Sequence, residues 1–262
     1  MTDQKTSSDF TVNLSGKTAL ITGSARGLGY GYARGLADAG AKVVLNGRNA
    51  EVLNHAVQTL RADGFDAEGI CFDVSKEESV VPAFEEMDAR GIAIDILINN
   101  AGIQHRQPIV ELSAADWQRV IDTNLTAAFL VGREVAKRMI KRGTGGKIIN
   151  IGSLTSEVAR ATVAPYTAAK GGIKMLTRSM TAEWAEYGIQ ANAIGPGYML
   201  TEMTQPLADD PKFDGWVKGR TPSRRWGLPH DLMGVAVFLA SAASDYVNGQ
   251  IIYVDGGMLA VL

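Results

Sequence analysis

The segment KTALITGSARGLG, residues 17–29, joins an apolar, β-branched run to a helical pattern through a glycine-rich turn. Glycines between a strand and a helix let the backbone approach a pyrophosphate group, which the positive end of the helix then stabilises. A turn that needs glycine only for close packing is the alternative, but the position after the first strand favours phosphate binding. The spacing through Gly23, Gly27 and Gly29 is G-x-x-x-G-x-G, which differs from the common dinucleotide-binding spacing G-x-G-x-x-G.

The alternation of short apolar runs and amphipathic helices continues along the chain. Six further runs are predicted to be strands: 42–47, 67–74, 94–102, 146–153, 189–197 and 249–257. Nearly continuous apolar runs between helices are typical of parallel strands that are buried on both faces. The sequence therefore predicts an α/β fold with a doubly wound, Rossmann-type, mostly parallel seven-stranded sheet and helices on both faces.

This alternation predicts a single domain over residues 14–262. Residues 1–13 are polar, and we expect them to form a loosely ordered tail. Residues 198–228 are rich in Thr, Pro, Arg and Trp and show no clear period. Because such a long excursion is rarely a plain connection, we expect a substrate lid or lobe there.

Composition and charge argue against several classes of protein. The chain has 262 residues, of which 46% are hydrophobic, and its net charge of −2 predicts neither a nucleic-acid nor an anionic-membrane partner. No apolar run approaches the ~18 residues of a membrane span, and the N-terminus has no signal-peptide core. With Cys71 as the single cysteine and three scattered histidines, no metal site is expected, and the cysteine count predicts a reducing, cytoplasmic location.

The stretch APYTAAKGG, residues 164–172, places Tyr166 and Lys170 one helical turn apart on the same face. An exposed pair of this kind stabilises a helix by only a few tenths of a kcal/mol, so stability gives little reason for it. A tyrosine with a pKa of about 10 costs about 4 kcal/mol to use as a base near pH 7. A neighbouring cation removes part of that cost, so the pair indicates proton transfer.

The stretch DWQRVIDTNLTAAF places an amide, Asn124, within an apolar helical face formed by residues 117, 120, 121, 124, 125 and 128. Burying an unpaired amide costs about 1–3 kcal/mol, so we expect Asn124 to have hydrogen-bond partners. A structural interpretation is that Asn124 bonds a backbone carbonyl at a helix kink. A functional role for the same side chain is compatible with this interpretation.

Several motifs, in order along the chain, are similar to the short-chain dehydrogenase/reductase family. They are the glycine spacing, NNAG at 99–102, INIGS, the Tyr166/Lys170 pair, NAIGPG and VDGG. INIGS ends on Ser153, thirteen residues before Tyr166, which is the spacing of that family's catalytic serine and tyrosine. The resemblance covers about residues 14–258 and implies a nicotinamide-dependent oxidoreductase acting on a secondary alcohol or its ketone.

The resemblance implies a catalytic role for four residues. Tyr166 exchanges the proton of the substrate hydroxyl, and Ser153 hydrogen-bonds the substrate oxygen. Lys170 lowers the pKa of Tyr166 and holds the nicotinamide ribose. Asn124 holds a water molecule in a proton relay from the lysine to solvent.

The resemblance also implies the cofactor contacts. Pro196, Gly197 and Thr201 would flank the nicotinamide, while Asp73 and Val74 would meet the adenine. The other expected contacts are Gly23, Ser24, Arg26, Gly27, Leu28, Gly29, Arg48, Asn100, Gly102, Tyr166 and Lys170.

The end of the second strand predicts the choice of cofactor. NAD-preferring relatives place an acid there to bond the ribose 2′-OH, whereas VVLNGRN has no acid and continues into Arg48. Arg26 in the glycine loop adds a second guanidinium group, and two such groups suit a 2′-phosphate. The alternative is two ordinary surface arginines. We therefore expect NADP(H) in preference to NAD(H).

The segment IQHRQP places Arg106 at the carboxyl end of the fourth strand, as a carboxylate clamp or a loop salt-bridge partner. Glu157, Arg160 and the stretch GRTPSRRWGLP add polar groups that suit a hydroxylated acid, while His105 has no assigned role. NGRNAE, ILINNAGIQHRQP and RTPSRRWG resemble gluconate 5-dehydrogenases, which implies NADP(H)-linked interconversion of D-gluconate and 5-keto-D-gluconate, with Arg106 on the carboxylate. The alternatives are another sugar-acid or polyol dehydrogenase, a 3-oxoacyl carrier-protein reductase, or a cofactor-sensing scaffold without activity.

The helix that carries Tyr166 resembles the one through which members of the family pair their subunits. Met175, Met180 and Trp184 recur on it at helical spacing and are expected in the core or at a subunit interface. We therefore expect a homo-oligomer, most often a tetramer.

Overall fold

The computed structural model describes residues 12–261, so most of the predicted tail at 1–13 lies outside the described residues. The strands are β1 Thr18–Ile21, β2 Lys42–Gly47, β3 Ala67–Cys71, β4 Ile96–Asn99, β5 Gly146–Ile151, β6 Ile189–Pro196 and β7 Ile251–Val254. The α-helices are α1 Gly27–Asp38, α2 Ala50–Ala62, α3 Glu77–Ala89, α4 Ala114–Ile121, α5 Ala127–Arg142, α6 Ala164–Trp184, α7 Gln205–Ala208, α8 Pro211–Arg220 and α9 Met233–Ala240.

The strands form one parallel sheet in the order β3-β2-β1-β4-β5-β6-β7. This confirms the predicted doubly wound α/β fold and its seven strands. The strand order reverses between β1 and β4, where Ala19 pairs with Val43 on one side and with Ile96 on the other. A crevice therefore opens at the carboxyl ends of β1 and β4, which is where such sheets bind ligands.

Both faces of the sheet are buried, which explains why its strands read as nearly continuous apolar runs. Ile21 and Leu45 belong to one core cluster, which also contains residues of α1, α2 and α9. Leu20 and Val44 point the opposite way, into a second cluster with residues of α3, α5 and α6. Because neighbouring side chains of a strand alternate between the two clusters, a one-residue slip of register would misplace both.

Local sequence signals set several helix ends. Asn49 accepts a hydrogen bond from Val52 N and caps α2, and Ser113 does the same for α4 through Asp116 N. Gly143 has φ of 67° and ends α5 in the left-handed conformation. Short connections held in this way place the strand ends and the helix starts along one edge of the sheet.

A buried polar chain ties the centre of the sheet to the helices beside it. Asn99 Nδ2 donates to Asn150 Oδ1 at 2.9 Å, and Asn150 Nδ2 donates to Thr177 Oγ1 at 2.9 Å. Thr177 Oγ1 donates in turn to Ile173 O at 2.7 Å within α6. Because every link is buried and paired, the chain fixes α6 relative to β4 and β5.

The predicted excursion at 198–228 contains the short helices α7 and α8. An aromatic cluster holds it together, with the ring of Tyr198 5.6 Å from Phe213, 5.6 Å from Trp216 and 5.8 Å from Trp226, measured between centroids. These contacts pack α8 against the chain just after β6.

Candidate active site

The glycine loop lies at the carboxyl end of β1 with a backbone that only glycine tolerates well. Gly23 and Gly27 have φ of 61° and 59°, the left-handed region. A Cβ on Gly29 would collide with the carbonyl oxygen of Gly23 and lie 2.5 Å from Asn100 Nδ2. The third glycine is therefore needed for close packing of α1 against the loop.

The N-terminus of α1 fits a phosphate group. Its N-cap residue, Arg26, makes no side-chain capping bond, and the first turn has no acidic residue. A Cβ on Gly27 would meet nothing within 4 Å, so the backbone there faces open space. Uncapped N–H groups at the positive end of a helix are a site for an anion, in agreement with the pyrophosphate predicted for this loop.

Asn46, which the sequence analysis missed, organises this loop. It is buried in β2, where its Oδ1 accepts a hydrogen bond from Gly23 N at 3.1 Å and its Nδ2 donates to Phe72 O at 3.1 Å. Its backbone N–H donates to Ser24 Oγ at 3.0 Å. The signal in the sequence was a single asparagine within an otherwise apolar strand, VVLNG.

Two of the predicted cofactor contacts use their side chains inside the protein. Ser24 is fully buried, and its hydroxyl donates to Ile21 O at 2.7 Å. Asn100 Nδ2 donates to Thr22 O at 2.9 Å and Gly23 O at 3.0 Å. Because the Ser24 hydroxyl and Asn100 Nδ2 already donate to backbone carbonyl oxygens, these side chains shape the glycine loop from inside the protein.

The two predicted arginines are exposed at the surface. Arg48 Nη1 lies 4.0 Å from Asp73 Oδ2, and Arg26 Nη1 lies 3.7 Å from Glu202 Oε2. Partial burial raises the pKa of Asp73, but hydrogen bonds from Ser75 and the charge of Arg48 outweigh it and lower the pKa. Since β1 and β2 are parallel neighbours, both arginines follow strands that end at the same edge of the sheet.

The other predicted nicotinamide and adenine contacts follow β3, β4 and β6 at this edge. Pro196 ends β6, and a Cβ on Gly197 would lie 2.7 Å from Asp255 Cα. Thr201 N donates to Thr204 Oγ1 at 2.9 Å. Val74 is buried after β3. The remaining predicted contact, Leu28, lies in α1 and packs against the first core cluster.

Tyr166 and Lys170 lie together in α6, beside the end of β5. Lys170 is buried, its Nζ lies 5.5 Å from the centroid of the Tyr166 ring, and it donates to Ile151 O at 2.6 Å. Burial lowers the pKa of Lys170 to about 8. The Ser153 hydroxyl is close enough to Tyr166 to lower the pKa of the phenol, so the predicted serine, tyrosine and lysine occupy one site.

The pKa of Tyr166 differs from the expectation. Burial of the phenol raises its pKa, and this effect exceeds the lowering by the Ser153 hydrogen bond and the Arg106 charge. The sequence analysis expected Lys170 to lower this pKa, and the net direction is the opposite. The reason is that removing a phenolate from water costs more than these neighbours recover.

Asn124 lies in a π-helical turn, Asp122–Thr126, that separates α4 from α5. Its Nδ2 donates to Val120 O and Ile103 O, both at 2.9 Å, which confirms the kink reading. Its Oδ1 is buried, and no donor among residues 12–261 reaches it. A Cβ on Gly102 would lie 2.6 Å from that oxygen.

Arg106 is an unpaired cation of the site. Within residues 12–261 no carboxylate forms an ion pair with it, so the loop salt-bridge reading is wrong. Partial burial and the charge of Arg160 lower its pKa, while Tyr198 and Tyr166 oppose that shift. The guanidinium of Arg106 and the hydroxyl of Tyr166 are thus close enough to influence each other.

Two neighbouring polar residues have partners elsewhere. His105 Nε2 lies 3.1 Å from Gln107 Oε1 and 3.9 Å from Asp116 Oδ2. Glu157 Oε1 accepts from Lys174 Nζ at 2.5 Å and from Tyr253 Oη at 2.8 Å. Glu157 is therefore neutralised locally.

Within residues 12–261, no helix is long and apolar enough to cross a membrane. No three His, Cys, Asp or Glu side chains among them are grouped in a way that could hold a metal ion.

Comparisons with known proteins agree with this geometry. A family model for enoyl-(acyl carrier protein) reductases matches residues 23–259. The gluconate 5-dehydrogenase of Gluconobacter oxydans is 49% identical over 95% of this chain and 97% of its own. The 2-dehydro-3-deoxy-D-gluconate 5-dehydrogenase of Formosa agariphila is 47% identical over 95% of each.

A solved structure gives the same result in three dimensions. The crystal structure of a gluconate 5-dehydrogenase from Burkholderia cenocepacia, in complex with NADP and tartrate, has a TM-score of 0.93 and 50% identity. The match covers 96% of this chain and 98% of the Burkholderia chain. With its fold, its site and these relatives in agreement, the chain belongs to the short-chain dehydrogenase/reductase family of oxidoreductases.

Proposed function

We propose that this protein interconverts D-gluconate and 5-keto-D-gluconate with NADP(H). The observation that carries the proposal is the site around Tyr166, where Lys170 is buried with its Nζ 5.5 Å from the ring centroid, and where Ser153 and an unpaired Arg106 both lower the pKa of the phenol. Relatives with sugar-acid names at 47–49% identity support the substrate class.

In the oxidation direction, Tyr166 takes the proton of the substrate hydroxyl and Ser153 hydrogen-bonds the same oxygen as its charge changes. When bound, the nicotinamide cofactor accepts or supplies the hydride. Lys170 holds the nicotinamide ribose and favours the phenolate of Tyr166. Asn124, through its free buried Oδ1, holds a water molecule that carries protons from Lys170 to solvent.

Arg106 binds the carboxylate of the substrate. A guanidinium group that lacks a protein carboxylate is suited to bidentate binding of a carboxylate ligand. The charge of Arg106 acts on Tyr166, so the carboxylate and the reacting hydroxyl of one sugar acid can be bound in the same site. A neutral steroid or a long acyl chain would leave this cation unpaired.

Arg48 and Arg26 hold the 2′-phosphate of NADP(H), a cofactor that the Burkholderia relative contains. We expect Arg48→Ala to lower the ratio of kcat/KM with NADPH to kcat/KM with NADH at least tenfold. The substitution removes the guanidinium contact with the 2′-phosphate, which as a charged hydrogen bond contributes about 1.5–3 kcal/mol. It also leaves the phosphate facing the carboxylate of Asp73, which Arg48 otherwise approaches. Arg90→Ala, at the end of α3, is the matched control and should leave the ratio unchanged. An unaltered ratio in Arg48→Ala contradicts this assignment.

A second candidate is oxidation of 2-dehydro-3-deoxy-D-gluconate, favoured by the 47% identity to the Formosa agariphila enzyme. An absorbance assay separates the two when D-gluconate and 2-dehydro-3-deoxy-D-gluconate are each oxidised with NADP⁺ or NAD⁺, and 5-keto-D-gluconate is reduced with NADPH or NADH. We expect a higher kcat/KM for oxidation of D-gluconate than of 2-dehydro-3-deoxy-D-gluconate, and the reverse order would favour the second candidate. Acetoacetyl thioesters test the reductase alternative, and a protein that binds NADPH without turning over any of the panel would act as a cofactor-sensing scaffold.

We further propose a cytoplasmic homotetramer in which residues 14–262 form one domain and 198–228 cover the substrate. Met175 is 56% exposed on α6 and Phe129 is 42% exposed on α5, whereas Met180 is buried in the core. Large apolar side chains exposed on adjacent helices support a subunit interface there. The single thiol, Cys71, is free and exposed, which fits a reducing compartment. Sedimentation velocity tests the tetramer, and a monomer would contradict it.

A further inference from the structure

Arg160 joins three segments around the candidate site. It follows Ser153 in the connection between β5 and α6, and its Nη1 donates to Tyr198 Oη at 3.1 Å. Its guanidinium carbon lies 4.6 Å from the ring centroid of Phe213 in α8. The catalytic serine's loop, the end of β6 and α8 therefore meet at one side chain.

The aromatic cluster makes this contact rigid on the side of α8. Phe213 and Trp216 both pack on Tyr198, and Trp226 Nε1 donates to Asp214 Oδ1 at 2.9 Å. A shift of α8 would therefore disturb Tyr198, which holds Arg160. Arg160 is the polar end of this cluster and the part of it that reaches the catalytic loop.

The charge of Arg160 is also unpaired. Its charge acts on Arg106, and among residues 12–261 neither guanidinium forms an ion pair with a carboxylate. Two like charges that influence each other raise the electrostatic energy of the site unless an anion lies between or beside them. Arg138, by contrast, pairs with both Asp88 and Glu134.

The Arg160 side chain faces open space as well as protein. It lines a groove of about 290 Å³ with Asp210, Lys212, Phe213 and Trp216. Asp210 caps α8 by accepting from Lys212 N, so the acid of the groove is engaged by the helix. Aromatic walls with two cations form a surface suited to a small polar anion.

We propose that Arg160 determines the specificity of this site for acids, because it presents a second cation, in addition to Arg106, to the carboxylate end of the substrate while its contacts with Tyr198 and Phe213 fix α8 over that substrate. The inference rests on the proposed function, since it takes the substrate to be a hydroxylated carboxylate. It goes beyond that function because it assigns recognition of the acid to two arginines from different loops. Tyr198 and Phe213 act as positioning residues through Arg160.

The test is a calorimetric titration of the enzyme–NADP⁺ complex with tartrate, a hydroxylated dicarboxylate. We expect Arg160→Gln to raise the Kd for tartrate at least tenfold, because the amide keeps a donor for Tyr198 but loses the charge. Arg160→Lys keeps the charge but lacks the planar stacking group, so its Kd for tartrate should lie between those of the wild type and Arg160→Gln. Lys141→Met removes an exposed cation from the last turn of α5, which leads into the start of β5 at the opposite edge of the sheet, and should stay within twofold of the wild type.

A Kd for Arg160→Gln within twofold of the wild type overturns the inference, and so does a wild type that fails to bind tartrate. Thermal unfolding of each variant shows whether a loss of binding comes from misfolding, in which case Arg160→Lys decides. Kinetics add a second readout: the KM for 5-keto-D-gluconate should rise more than kcat falls in Arg160→Gln. If the wild type does not turn over 5-keto-D-gluconate but Arg160→Gln still loses tartrate binding, the proposed function fails and the role of Arg160 stands.

Discussion

A Tyr166→Phe enzyme is expected to lose turnover by about 10²–10⁴-fold while it still binds NADPH. The substitution removes only the phenolic hydroxyl, which is the group that exchanges a proton with the substrate. Burial raises the pKa of Tyr166, and Ser153 and the charge of Arg106 lower it only in part, so the phenolate is costly in the protein alone.

Initial rates at saturating substrate and NADPH fluorescence titrations measure the two parts of this result. Tyr187→Phe is the matched control, because that tyrosine is 45% exposed at the end of α6 and should leave both values unchanged. More than a few per cent of wild-type turnover in Tyr166→Phe contradicts the role of this tyrosine as the proton-transfer group.

We expect Gly29→Ala to abolish cofactor binding at concentrations at which the wild type is saturated. The added Cβ would collide with the carbonyl oxygen of Gly23 and approach Asn100 Nδ2 to 2.5 Å. Both groups belong to a loop that Asn46 and Asn100 hold in place, so relief of the collision has to move the loop or α1. Either movement displaces the N–H groups that receive the pyrophosphate.

The control for this substitution is Gly234→Ala in α9, where a Cβ would meet nothing within 4 Å. That variant should bind NADPH normally and be equally or slightly more stable, because alanine favours a helix by up to about 1 kcal/mol. NADPH affinity within threefold of the wild type in Gly29→Ala would mean that the glycine loop is not the pyrophosphate site.

The fold was predictable because its information is local. Residues 19–21 of β1 and 43–45 of β2 are apolar and buried, so each strand is recognisable without its neighbours. The Tyr166/Lys170 pair was equally accessible, because four residues on a helix fix their relative position. The π-turn at Asn124 was anticipated as a kink because an amide within an apolar face needs a backbone partner.

The rest depended on contacts between distant segments. Asn46 bonds Gly23 and Phe72, and no spacing rule connects these residues. The raised pKa of Tyr166 reflects burial by the whole fold, which a Tyr-x-x-x-Lys spacing does not report. Arg160 meets Tyr198 and Phe213, 38 and 53 residues further along the chain, and their pairing appears only once β5, β6 and α8 are assembled.

The central claim is that this site reduces a keto sugar acid with NADPH, and the most direct measurement follows NADPH absorbance with 5-keto-D-gluconate and identifies the product. We expect saturable NADPH oxidation with stoichiometric formation of D-gluconate, and the reverse reaction with D-gluconate and NADP⁺. Absence of turnover with 5-keto-D-gluconate, together with rapid reduction of acetoacetyl thioesters, would contradict it.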